Sequence, residues 1–522
     1  MPREPLARSS GVPLIGARSI GARSSRAPAF ETVVGWWREC RAGRCLHLLL
    51  MLPFLLIGGY PLPVWGDESL RREAAEALRR GVAFYRDQVA SHGGYVYRYS
   101  HDLAKREGEG KTGPDTVWVQ PPGTPAVGAA LLDAYERTGE SYLLDAARAA
   151  GECLRQGQLV SGGWTDRIEF DPAQRRRFTY RTEERHEQRS FNVTTFDDDK
   201  TQSALRLLMR LDQTLEFRDA PLHEAATYAL DAVLRAQFPH GGWPQGFDTF
   251  PDPTEHSVRQ ATFPEQWSRE YPGGAYWRYP TFNDNSLADT IDMLLLASQI
   301  YRDERYRAAA RRGGDFILLA QLPDPQPAWA QQYNFQLQPA WARKFEPPAI
   351  SGGESQGIIR ILLRLYEESG ERKYLEPIPR ALAYLKKSEI APGKLARFYE
   401  LRTNRPLYFT RDYQLTYDDR DLPTHYSFQV SHRLDELQRR YDELAPLNEQ
   451  QLAERRAAGA RRRDERPNDE RVRAVIQALD ERGAWVTEGR LRYHGAQDDT
   501  RQIIDSSHFC RQVEVLSRYL AR

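Results

Sequence analysis

The stretch Tyr135-Glu136-Arg137-Thr138-Gly139-Glu140-Ser141-Tyr142-Leu143 returns almost intact as Tyr366-Glu367-Glu368-Ser369-Gly370-Glu371-Arg372-Lys373-Tyr374-Leu375. Each copy lies between two runs of helical apolar spacing. Its glycine is the stop signal expected where one helix closes before the next opens. Working outward, the spacing predicts helix pairs over 126–138 with 142–157, 201–215 with 222–237, 286–302 with 304–321, and 354–369 with 373–388. A second feature recurs at the ends of pairs. It reads Gly93-Gly94-Tyr95, Gly162-Gly163-Trp164 and Gly241-Gly242-Trp243, with a weaker echo at Gly483-Ala484-Trp485; the first two spacings are 69 and 79 residues. Two helices and a Gly-Gly-aromatic turn, repeated at this interval, form the pattern of a helical repeat array. The expected fold is all-α. A closed array is an (α/α) toroid of repeated helix pairs, with irregular loops forming a cleft at one end. The alternative is an open helical solenoid.

Composition narrows the function. With 40% hydrophobic, 28% charged and 11% aromatic residues in 522, general disorder and collagen are excluded. Basic and acidic residues balance at 73 against 72, so there is no electrostatic case for nucleic acid. No stretch reaches 18 uninterrupted apolar residues, which excludes a multi-span membrane protein. Residues 1–66 read as a signal segment. An Arg-, Gly- and Ser-rich start leads into an apolar run over 48–57, broken at Pro53, and then small residues, with cleavage expected after Gly66. The expected location is secreted or periplasmic, with membrane contact only through that signal; a single anchor is the alternative. Residues 67–446 are expected to be the toroid and 447–470 a charged linker or exposed helix. Residues 471–522 are expected to be a helical tail docking on the toroid. Beyond residue 66 only Cys153 and Cys510 remain, too few for a disulfide framework.

The chemistry is expected in the loops. Phe196-Asp197-Asp198-Asp199-Lys200-Thr201 opens a helix with more negative charge than a cap needs. Like charges repel, and a hard cation such as Ca²⁺ or Mg²⁺ removes that penalty. Thr281-Phe282-Asn283-Asp284-Asn285-Ser286 opens the first helix of the next pair in the same way. Equivalent loops of an array lie at one end, so the two acidic turns are expected to converge. No His/Cys cluster suggests zinc. The segment 338–348 and Ser351-Gly352-Gly353-Glu354-Ser355 precede the fourth pair, and Arg343 and Lys344 place cations near the carboxylates. Arg397 to Arg411 alternates arginine with aromatics, a set of carboxylate forks and sugar-stacking faces.

Gly241-Gly242-Trp243-Pro244-Gln245, Thr281-Phe282-Asn283-Asp284, segment 338–348 with 351–355, and 397–411 occur in this order. That order resembles the pectate lyases of polysaccharide lyase family 10, over about residues 120–420. The resemblance implies a partly closed (α/α) toroid and Ca²⁺-dependent β-elimination of polygalacturonate. It implies Asp197 and Asp284 as calcium ligands, Arg343 as the catalytic arginine, and Arg397 and Arg411 as binders of substrate carboxylates. Asp198, Asn283, Trp243 and Lys344 complete the candidate substrate contacts. The expected partner is an acidic polysaccharide, polygalacturonate or a related uronan, and the expected state is a monomer. Asp198 and Asp199 add charge where the family shows less. Residues 248–280 look like an insertion, and 171–190 is long and Arg-rich; both reshape the cleft.

The implied mechanism is coherent. A uronate C5 proton lies beside a carboxylate and is weakly acidic, and a cation on that carboxylate stabilises the enolate-like transition state. An arginine base needs a high pH, so an alkaline optimum is expected. The rivals are an inverting glycoside hydrolase using Asp284 and Glu354, and a non-catalytic acidic-glycan-binding protein of the same fold; a terpene cyclase is disfavoured by the polar loops.

Overall fold

The computed structural model describes residues 65–521 except His186, Gln188, Glu255, Arg463 and Asp464. The signal segment proposed for 1–66 lies outside the described residues but for Trp65 and Gly66, which begin a helix.

The predicted pairs form. They are α2 (Thr124–Thr138) with α3 (Ser141–Gln156), α4 (Lys200–Thr214) with α5 (Ala220–Arg235), α6 (Ser286–Tyr301) with α7 (Glu304–Ala320), and α8 (Glu354–Ser369) with α9 (Ile378–Lys387). The two quoted turns do the same work. Gly139 at φ 75° and Gly370 at φ 71° are left-handed caps, and their N–H groups donate to the Tyr135 and Tyr366 carbonyls.

Around these pairs lie α1 (Trp65–Phe84), α10 (Leu434–Leu444), α11 (Glu449–Arg462), α12 (Asp469–Gln477) and α13 (Ser506–Leu520). Helices α13, α2, α4, α6, α8 and α10 pack side by side in that order as an inner layer. Helices α12, α1, α3, α5, α7 and α9 back them on the outside. The chain is an (α/α) toroid, with the C-terminal helix seated between α1 and α2. Strand pairing ties the same ends together: Arg98 pairs with Asp505 and Tyr99 with Ile504.

The Gly-Gly-aromatic turns explain why the repeats stack. Each tryptophan is buried, and its indole N–H donates to a carbonyl near the end of the preceding outer helix. The pairs are Trp164 with Leu154 at 2.7 Å, Trp243 with Val233 at 2.9 Å and Trp485 with Val475 at 3.0 Å. Trp329, which no Gly-Gly precedes, does likewise with Ile317 at 2.9 Å. Full burial of such a ring contributes roughly 2–3 kcal/mol. The glycine must be small because the turn presses on the next outer helix: a Cβ on Gly241, at φ 95°, would meet the Arg312 carbonyl oxygen at 2.0 Å. The six connections from outer to inner helix all emerge at one end and carry the short strands and irregular loops.

Candidate active site

Two turns of identical construction stand at the N-termini of α4 and α6. Phe196 N–H donates to the Gln245 carbonyl at 2.8 Å, and Phe282 N–H to the Gln331 carbonyl at 2.8 Å. Thr195 Oγ1 accepts from Asp197 N–H at 3.2 Å, and Thr281 Oγ1 from Asn283 N–H at 3.1 Å. Each turn then places two successive non-glycine residues in left-handed conformation: Asp198 (φ 50°) and Asp199 (φ 60°), Asp284 (φ 46°) and Asn285 (φ 59°). Asp and Asn tolerate this better than other residues, yet paired left-handed residues are strained, and such strain concentrates at functional sites.

The strain aims carboxylates at one another. Oxygens of Asp197, Asp198 and Asp284 all lie within 4.8 Å of each other. Asn283 Nδ2 donates to Asp197 Oδ1 and to Asp284 Oδ2, each at 2.9 Å, while its own buried Oδ1 has no partner. Asp284 is pushed up to about 7, by burial first and then by Asp197, Glu354 and Asp198. Burial and Asp197 likewise raise Asp198. The buried Lys200 ammonium lies 3.5 Å from Asp197 and 3.3 Å from Asp198; burial opposes its charge, and these two carboxylates more than restore it. Three hard carboxylates against one ammonium, beside an orphaned amide oxygen, fit a divalent cation of the calcium class. Asp199 turns away and pairs with Arg206.

A third element completes the same rim. Glu354 at the start of α8 is buried, accepts from Ser351 Oγ, and lies 3.4 Å from Arg397 Nη1. Arg343 forks onto the buried Glu346, with Nη2 at 2.5 Å from Oε1 and Nε at 2.8 Å from Oε2. Burial works against the guanidinium, but the Glu346 pair dominates and holds it well above the ordinary arginine value. Tyr426 lies between the two cations, with Arg343 5.4 Å and Arg397 4.7 Å from its ring centroid, and donates to Glu346 at 2.9 Å. Asp284 feels Arg343, and Arg397 feels Asp284, so acidic turns and guanidinium groups lie within electrostatic reach of one another.

Not every candidate arrives there. Trp243 is 1% exposed and committed to Val233, so it is a core residue and no sugar platform. Arg411 is exposed and pairs with Asp421 at 3.3 Å; none of its contacts reaches the acidic cluster. Lys344 is exposed on the same loop as Arg343, over the Tyr413 ring at 3.5 Å. Sequence reasoning assigned no role here to Lys200, Tyr426 or Tyr276, whose phenol feels both Arg343 and Asp197. Lys200 was legible in the Asp-Asp-Asp-Lys run; Tyr426 had no motif around it. From the 248–280 insertion, Trp341 receives Trp267 at 6.3 Å, and Arg269 pairs with Glu400. In 171–190, Arg175 pairs with Glu183 within the loop, and Arg181 ties it to Glu224 on α5.

Residues 158–395 match the family model described as pectic acid lyase, and that segment is a polysaccharide-lyase domain. No curated protein matches the chain. Among solved structures, a family 10 polysaccharide lyase from Cellvibrio cellulosa is 18% identical, covering 61% of this chain and 97% of its own, at a TM-score of 0.43. A mutant of a family 10 polysaccharide lyase from the same organism, in complex with trigalacturonic acid, matches at the same identity and score. A cellobiose 2-epimerase from Bacillus thermoamylovorans is 12% identical, covering 86% of this chain and all of its own, at 0.41. Likenesses this distant decide nothing about residues; the toroid stands on the helix pairing itself. Among the described residues no helix is long and apolar enough to cross a membrane.

Proposed function

We propose that this chain is a secreted pectate lyase that cleaves polygalacturonate, or a related uronan, by β-elimination. The observation that carries the reading is the meeting of Asp197, Asp198 and Asp284 within 4.8 Å at the rim that also holds Arg343 and Arg397. Asp197 and Asp284, with Asp198 beside them, are the ligands for Ca²⁺; when bound, the ion supplies charge withdrawal at a uronate carboxylate. Arg397 and Lys344 hold neighbouring carboxylates, and Tyr276 and Tyr426 offer ring faces to the sugar. Asn283 fixes the direction of the two acidic side chains. Arg343 takes the C5 proton. Because Glu346 stabilises its cationic form, it does so at elevated pH, and the optimum is alkaline.

The reading is tested by ultraviolet absorbance of the unsaturated uronide formed from polygalacturonate, with and without chelator, beside Arg343→Ala. Absorbance that needs the metal and vanishes in the variant supports it. A chain that shortens the polymer without new absorbance is a hydrolase. One observation favours that second reading: Asp284 at about 7 carries a proton near neutrality, as a general acid must.

A further inference from the structure

Each acidic turn ends in a residue that leaves the cluster. Asp199 (φ 60°) and Asn285 (φ 59°) are the second left-handed residues of their turns. The oxygens that meet within 4.8 Å come from Asp197, Asp198 and Asp284 and include neither. Both side chains run instead onto an arginine. Arg206 Nη2 donates to both oxygens of Asp199. Arg360 Nη2 donates to Asn285 Oδ1 at 3.2 Å. The two arginines hold one helical position, six residues beyond Lys200 in α4 and six beyond Glu354 in α8. They also face one space: Arg206, Asp289, Asp292, Arg360 and Arg364 line a cavity of about 820 Å³. The Asp289 carboxyl feels Asp199, Arg206 and Arg360 together.

A glycine makes room for the second grip. Gly357 lies inside α8, where glycine disfavours a helix relative to alanine. A Cβ there would meet Asn285 Oδ1 at 2.2 Å, so the absent side chain is the opening that admits the Asn285 amide. Asn283 Nδ2 already joins the second turn to Asp197 of the first, so a grip on Asn285 steadies both turns. Paired left-handed residues persist only where their surroundings hold them. We propose that Arg206 and Arg360, with the opening at Gly357, are positioning residues for the cation site. By drawing Asp199 and Asn285 onto the inner helices they keep Asp197, Asp198 and Asp284 facing one another. None of the three is itself a ligand. The inference rests on the calcium reading of the acidic cluster and not on the lyase reaction.

The test titrates Ca²⁺ into the full chain by calorimetry, for wild type, Arg360→Met, Arg360→Lys, Arg206→Met and Gly357→Ala. Circular dichroism and melting temperatures without metal accompany it. Arg360→Met and Gly357→Ala should weaken Ca²⁺ binding roughly tenfold. Arg206→Met, which leaves Asp199 without its cation, should weaken it by roughly 10–100-fold, the range for groups that orient metal ligands. Arg360→Lys keeps a donor for the amide oxygen and should recover most of the loss. Gly357→Ala separates positioning from stability. Alanine suits a helix better, so the metal-free melting temperature should hold while Ca²⁺ affinity falls. On polygalacturonate, the Ca²⁺ concentration giving half the maximal rate should rise by the same factors, and saturating Ca²⁺ should restore kcat. Ca²⁺ affinity equal to wild type in Arg360→Met and Gly357→Ala overturns the proposal, as does a loss of kcat that saturating Ca²⁺ leaves in place. Should Arg206→Met fail to fold, the two α8 positions decide. A wild type that binds Ca²⁺ but forms no unsaturated product sinks the lyase reading alone, and the calorimetry still decides here. A wild type that binds no Ca²⁺ sinks this proposal together with the metal reading.

Discussion

Glu346→Gln is the exchange that separates the two jobs open to Arg343. In the folded protein the Arg343 guanidinium is held by two bonds to Glu346, at 2.5 and 2.8 Å, and Glu346 also accepts the Arg343 backbone N–H at 3.0 Å. Glutamine keeps the shape and one acceptor but removes the negative charge. Charge-assisted bonds of this kind contribute about 1.5–3 kcal/mol, and Arg343 is part-exposed, so solvent screening favours the lower half of that range. Since 1.36 kcal/mol corresponds to one pH unit, the guanidinium should lose its proton roughly one to two units lower in the variant. The sign is fixed, because removing a neighbouring anion always makes the cation easier to deprotonate. If Arg343 is the base, the limb of kcat/KM that rises with pH moves down by that amount, and activity at pH 8 rises about tenfold or more. If Arg343 only grips a carboxylate, KM rises and the limb stays where it is. The measurement is the initial rate of unsaturated-product formation across pH 7–11, with circular dichroism confirming the fold. A limb that does not move, or moves upward, refutes the base assignment.

Asp284→Asn, or chelation of wild type, should abolish unsaturated product, and millimolar Ca²⁺ should raise the melting temperature of wild type but not of the variant. His240 is buried against Phe316, with a centroid distance of 4.9 Å, and is pushed down to about 4 by burial and then by His256. The unfolded chain therefore takes up the proton first, and stability present above pH 6.5 is lost as pH falls toward 4, by about 3 kcal/mol; urea titrations should show that slope shrink in His240→Gln. Trp243→Phe should cost roughly 1–3 kcal/mol by orphaning the Val233 carbonyl while leaving KM unchanged, and a raised KM would restore the sugar-stacking role. Gly241→Ala should cost at least about 2 kcal/mol in denaturant unfolding, since a Cβ there meets the Arg312 carbonyl and φ is 95°.

The helix pairs were legible because their apolar period is set by one local requirement, a face to bury, and because Gly139 and Gly370 mark the caps that end two of the inner helices. The acidic turns were legible for a related reason. Asp197-Asp198 and Asn283-Asp284 open equivalent helices, and equivalence in an array is a statement about place. What the pattern did not carry was the spatial order of the ends. Nothing periodic says that α13, at the far end of the chain, sits beside α2, or that the loop before α2 thereby joins the rim.

Tryptophan shows most sharply how one residue type misleads. A Gly-Gly-Trp turn beside acidic loops reads as a platform for sugar, since an exposed indole stacks well on a pyranose. The same turn, repeated, has another use: a helix that stops leaves carbonyls unpaired, and a buried indole N–H ten residues on reaches back to pair one. Leu154, Val233 and Val475 are all served in this way, at the same sequence distance. A contact that recurs from unit to unit belongs to the scaffold, whereas a cleavage site exists once. The residues that break the repeat are thus the better candidates for sugar contact. Tyr276 lies in the insertion, and Tyr426 stands between two arginines.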